Sequence, residues 1–123
     1  MENNISVTIA LKSPDWDDQE LQDSIENLLP QLREVDGVEQ ANLVAVEEIP
    51  EGAKSVGGFL VGILKAEVNP AKIKALFSFL GDRLSGKTIE MEVEANGRKL
   101  KVKVGSQAEL MIAIQAAREF VAA

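Results

Sequence analysis

From Thr88 to Val104, apolar and charged residues alternate on both sides of Asn96-Gly97. The run reads Thr-Ile-Glu-Met-Glu-Val-Glu-Ala, then Asn-Gly, then Arg-Lys-Leu-Lys-Val-Lys-Val. A period of two marks half-buried strands, and Asn-Gly supplies the positive φ values that a two-residue hairpin turn demands. With those two residues as the loop, Glu94 faces Lys99, Glu92 faces Lys101 and Glu90 faces Lys103. On the other face Val93 meets Leu100, Met91 meets Val102 and Ile89 meets Val104. A slip of one residue would ruin all six pairings, so the register is set by the pattern itself. The most conspicuous charge pattern is thereby explained as a solvated sheet face, which speaks to fold rather than to function.

The same test applied along the chain predicts the other elements. Ile5, Val7, Ile9 and Leu11 alternate with Ser6, Thr8 and Ala10, the mark of a half-buried strand that Ser13-Pro14 ends. Asp17 and Glu20 have capping-box spacing. Leu21, Ile25, Leu28, Leu29 and Leu32 then recur at helical intervals up to Gly37. Pro30 lies inside that helix and is expected to kink or shorten it, because it cannot donate to Glu26. Residues 40–47 read as a second strand. Between Val56 and Val68 the chain is apolar with Gly57, Gly58 and Gly62, and Phe59 to Glu67 is read as a buried helix, although periodicity alone does not distinguish it from a strand. Asn69-Pro70 starts another helix, with Ile73, Leu76, Phe77, Leu80 and Leu84 as its stripe. Ser106 and Glu109 open a last helix that runs to about Val121.

The expected fold is α+β, two-layered, with element order β-α-β-α-α-β-β-α. It has a four-stranded mixed sheet with a β-hairpin in the C-terminal half and helices on one face. No repeat, low-complexity segment or linker interrupts it, so residues 1–123 are read as a single domain.

Composition narrows the chemistry. The chain has no His, Cys or Tyr, so general acid–base work would fall to carboxylates and lysines, and thiolate sites are absent. The net charge is −7 and uneven: residues 1–51 hold 13 acids and 2 bases. Phosphate would be repelled by that half, which argues against nucleic acid. The longest uncharged apolar stretch, Val56 to Leu64, is too short for a bilayer, and the acidic Met-Glu-Asn-Asn start does not resemble a targeting signal. A cytoplasmic protein without a membrane partner is the expectation.

Three motifs bear on function. Gly81-x-x-x-x-Gly86-Lys87-Thr88 matches the phosphate-loop pattern, but a helix precedes it and a strand follows, the reverse of what phosphate cradling needs. Glu47, Glu48 and Glu51 cluster in a loop without the oxygen spacing of a calcium site, so a solvated loop is preferred. The glycine-rich block 57–62 is read as allowing close packing rather than ligand approach. No catalytic, cofactor-binding or metal-binding residue is assigned, and the chain is expected not to be an enzyme.

The last helix is the most suggestive element. Leu110, Ile114, Ala117 and Val121 form one stripe, and Met111, Ile112, Ala113, Ala116 and Phe120 broaden it beyond what one sheet contact can bury. Either it lies deep between elements or it meets another chain. Met111, Ile114, Phe120 and Val121 are therefore candidate contact residues. On the first helix, the acidic residues Asp18, Asp23 and Glu26 are candidates for a basic partner.

The order of parts resembles the effector-associated constant component family, small accessory domains of bacterial conflict systems. The matching features are the N-terminal strand and acidic helix, the block Val56-Gly-Gly-Phe-Leu-Val-Gly-Ile-Leu, the helix end Phe79-Leu-Gly-Asp-Arg-Leu, Gly86-Lys87, the hairpin and the C-terminal helix. The chain departs from the family where Phe79 stands in place of a tryptophan. The resemblance implies a non-enzymatic adaptor without cofactor. Its partner would be another protein chain, such as a peptidase-like effector or a regulatory NTPase, or a second copy in a homodimer. Two alternatives remain at this stage: a small-molecule binding module using residues 57–62, and a carboxylate-dependent enzyme needing two converging acids.

Overall fold

The computed structural model describes residues 4–45, 55–56, 59–84, 87–95 and 97–122. Its strands are β1 (Ile5–Leu11), β2 (Val38–Ala45), the two-residue β3 (Ser55–Val56), β4 (Phe59–Val68), β5 (Ile89–Ala95) and β6 (Arg98–Val104). Its α-helices are α1 (Asp18–Arg33), α2 (Ile73–Arg83) and α3 (Gln107–Ala122). One antiparallel sheet holds the long strands in the order β2-β4-β1-β5-β6, and β3 pairs with the start of β4.

Two expectations are corrected by this topology. Residues 59–67 are a strand, not a helix, so the sheet has five long strands rather than four. The sheet is antiparallel throughout, not mixed. Both corrections have one cause. Strand β4 inserts between β1 and β2, which run parallel to each other across helix α1, and it opposes both. The same happens at β1, which lies between β4 and β5. The chain from β1 to β5 thus makes two split β-α-β units, the ferredoxin-like arrangement, and β6 and α3 extend it at one edge.

Strand register builds the core in rows. Val7 lies beside Ala66 and Val93, and Ile9 beside Leu64 and Met91, all of them buried. The helices cover this face with Ile25, Leu29 and Leu32 from α1, Leu76, Phe77 and Leu80 from α2, and Leu110, Ile114 and Ala117 from α3. On the opposite face the rows are polar, as in Glu94-Ser6-Glu67-Gln40 and Glu92-Thr8-Lys65-Asn42. The hairpin has the register read from its pattern, pair for pair from Ala95–Arg98 to Ile89–Val104.

Local signals explain the helix ends. Asp17 accepts from the Glu20 N–H at 2.8 Å, and Glu20 accepts from the Asp17 N–H at 3.2 Å, completing the capping box. Helix α1 runs through Pro30 to Arg33. The proline sits on the exposed side, while Leu29 and Leu32 on either side of it are buried and hold the last turn against the sheet. At the next entry Asn69 accepts from the Ala71 N–H at 2.9 Å, and a 3-10 turn, Pro70–Lys72, precedes α2.

Candidate functional site

Helix α3 begins where Ser106 accepts from the Glu109 N–H at 3.2 Å and Glu109 reaches back to the Gly105 N–H at 2.9 Å. It packs on β5 and β6 and against α2. Leu110, Ala113, Ile114 and Ala117 are buried, Phe120 and Val121 are half-buried, and Met111 and Ile112 are exposed at 54% and 70%. Among the described residues those two are the exposed large hydrophobic side chains.

The two exposed residues face different surroundings. Met111 lines a groove of about 500 Å³ between α3 and α2, floored by Phe77, Gly81 and Ile114 and rimmed by Lys74, Asp82 and Arg118. Ile112 begins a series at i, i+4, i+8 with Ala116 and Phe120, on the side away from that groove. Phe120 stacks under the Arg98 guanidinium of β6, 5.2 Å from ring centroid to Cζ. This flank of α3 therefore overlooks β6, the last strand of the sheet.

The residues expected to make contacts thus separate. Met111 is open, Phe120 and Val121 are partly open, and Ile114 belongs to the core. Asp18, Asp23 and Glu26 are exposed on α1, which packs on β2 and β4 at the other end of the same sheet face. Asp23 accepts from Gln19 at 2.8 Å and Glu26 from Gln22 at 3.1 Å. The acidic side of the first helix and the apolar side of the last are not one surface. Ile112, the more exposed of the two large apolar side chains open among the described residues, was visible in the sequence as part of an over-wide stripe but could not be told from its neighbours there.

Gly62 lies inside β4 with φ +67, and its N–H donates to the buried Gln22 Oε1 at 2.8 Å. A Cβ there would stand 3.3 Å from Leu21 Cβ and 3.4 Å from the Leu11 carbonyl. This glycine serves close packing of α1 on the sheet, and its N–H is already taken. Gly57 and Gly58, and the loop acids Glu47, Glu48 and Glu51, lie outside the described residues. Among the described residues no group of three or more acidic side chains could hold a metal ion.

The phosphate-loop match is divided between two elements. Gly81 to Arg83 end α2, and β5 begins at Ile89. Lys87 Nζ donates to the Arg83 carbonyl at 3.1 Å, and the Thr88 carbonyl accepts from the Lys12 N–H at 2.8 Å. No helix of the described chain is long and apolar enough to cross a membrane. The described residues thus form an α+β fold of one antiparallel sheet and three α-helices. No family model, curated protein or solved structure matches the chain.

Proposed function

We propose that this chain is a non-enzymatic adaptor that docks another protein chain through the outer side of α3. The observation that carries the reading is that Met111 and Ile112, the exposed large hydrophobics of the described chain, are neighbours on one helix, Met111 lining an open groove and Ile112 on the adjoining flank. Apolar side chains rimmed by charge mark interaction surfaces in soluble proteins. Lys74, Asp82 and Arg118 at the groove rim suit a polar periphery around an apolar centre. The acidic first helix, the hairpin and the C-terminal helix support the likeness to effector-associated constant component domains, for which a peptidase-like effector or a regulatory NTPase is the expected partner class.

The test compares wild type with a Met111→Lys, Ile112→Lys double variant in affinity capture from the source cells. Both changes are at exposed positions, so the fold is kept and circular dichroism matches wild type. Loss of a specific co-purifying chain from the variant supports the reading. Recovery of the same chains by both proteins overturns it.

A further inference from the structure

The free edge of the sheet at β6 points to the chemistry of the partner segment. We infer that β6 accepts an extended peptide of alternating acidic and apolar residues as an added strand, lying under the outer flank of α3. The inference deepens the docking reading by naming what is docked.

The first observation is backbone direction. The Lys12 N–H bonds the Thr88 carbonyl at 2.8 Å, so even-numbered residues of β5 turn their polar backbone groups toward β1. Odd-numbered residues of β5 turn theirs toward β6, where they pair with Arg98, Leu100, Val102 and Val104. The N–H and C=O groups of Lys99, Lys101 and Lys103 therefore point outward. They form a regular edge with no neighbouring strand among the described residues.

The opposite edge is closed to this use. The β2 register shifts twice, between Val38 and Gln40 and between Leu43 and Ala45. Arg33 also lies along it, donating to the Ala41 carbonyl at 2.8 Å and to Asn42 at 3.3 Å. Bulges, covering side chains and edge lysines all blunt an edge. Strand β6 has no register shift, and of these devices it carries only lysines, Lys99, Lys101 and Lys103, which discourage like-charged or apolar strands but leave the edge open to an acidic one.

The second observation is charge. Lys99 meets Glu92 at 3.8 Å, but Glu90 is turned to Lys12, also at 3.8 Å. Among the described residues Lys101 and Lys103 make no ion pair, and both are exposed. A second copy of β6 would set lysines against lysines, which opposes self-pairing. An incoming strand with acids on that face would give each lysine an acidic neighbour on both sides.

The third observation is apolar. Leu100 and Val102, on the helix-facing side of β6, are only half-buried. Above them runs the Ile112, Ala116, Phe120 flank of α3. The apolar side chains of an added strand would enter this angle between helix and edge. Strand β5, Ile-Glu-Met-Glu-Val-Glu, already meets the inner side of β6 with this same alternation. Backbone pairing supplies affinity and alternate side chains supply selectivity in strand addition of this kind.

The probe is a blocked synthetic heptapeptide, Val-Glu-Val-Glu-Val-Glu-Val, with a block-ordered control of the same composition. Binding to the whole protein is read by fluorescence anisotropy at low salt and by amide hydrogen exchange. The expected result is slowed exchange at Lys99, Lys101 and Lys103, at least tenfold weaker binding by the control, and weakening with added salt. Lys101→Pro removes an outward N–H without breaking the β5 pairing and should lose binding at least tenfold. Lys101→Glu should do the same by charge, which keeps the test decisive if the proline variant is unfolded. No binding, equal binding of the control, or protection at β2 instead would overturn the inference. Failure here with capture still dependent on Met111 and Ile112 would leave the docking reading standing. The reverse outcome would leave strand addition and remove docking through α3.

Discussion

Gly62 shows how one residue holds two layers together. Its positive φ interrupts the regular strand, and the N–H this frees is satisfied by the buried Gln22 amide of α1. Gly62→Ala should cost about 1–3 kcal/mol, since an L side chain is strained there and the Leu21 side chain must give way. Gln22→Leu should cost about 1–3 kcal/mol through the orphaned N–H. Denaturant unfolding checks both, and an unchanged midpoint in either would remove the proposed clasp. At the hairpin tip, Gly97 has φ +76 and open space around its Cβ position. Gly97→Val should destabilise by at least about 1 kcal/mol through backbone strain alone. By contrast Glu92→Gln should cost less than about 1 kcal/mol, because its pair with Lys99 is long and solvated. The Gly97 turn was legible from Asn-Gly between alternating runs. The Gly62 clasp was not, because its partner lies forty residues away on another element.

At the scale of elements, legibility followed exposure. Strands β1, β5 and β6 each show one face to solvent or to polar rows, so alternation survives in the sequence. Strand β4 lies between β1 and β2, with Leu60, Leu64, Ala66 and Val68 buried on one face and Val61 and Ile63 half-buried on the other. Its two faces are both apolar over that stretch, and the period of two disappears. One misread element then altered strand count and strand direction together. The candidate site was partly legible for a related reason: an over-wide apolar stripe on α3 is a sequence feature, but the edge position of β6 exists only once strand order is known. Context also governs the phosphate-loop match, because Lys87 is bonded to the end of α2 and the motif has helix before it and strand after it. Isothermal titration with Mg-ATP or Mg-GTP should give no binding. Micromolar affinity abolished by Lys87→Ala would show that the loop rearranges to hold phosphate.

For the molecule as a whole, the question is whether the open side of α3 pairs with a second copy. A standard interface takes about 800 Å² from each partner. Two exposed apolar side chains supply much less, and the core stripe of α3, Leu110, Ala113, Ile114 and Ala117, is already buried within the chain. A net charge of −7 adds repulsion between copies. Strand pairing through β6 would set lysine against lysine, and the β2 edge has two register shifts and is covered by Arg33. Each route to a symmetric dimer is therefore weak, whereas an acidic extended segment gains backbone bonds, charge neutralisation and the Ile112–Phe120 flank together. The wild-type protein should sediment as a single 13.3 kDa species at micromolar concentration. Met111→Lys with Ala108→Glu, both at exposed positions, should leave that species folded and its mass unchanged. A wild-type species of twice the mass that reverts to monomer in this variant would show that α3 pairs with itself. It would make the second copy, rather than a foreign strand, the first occupant of this side of the fold.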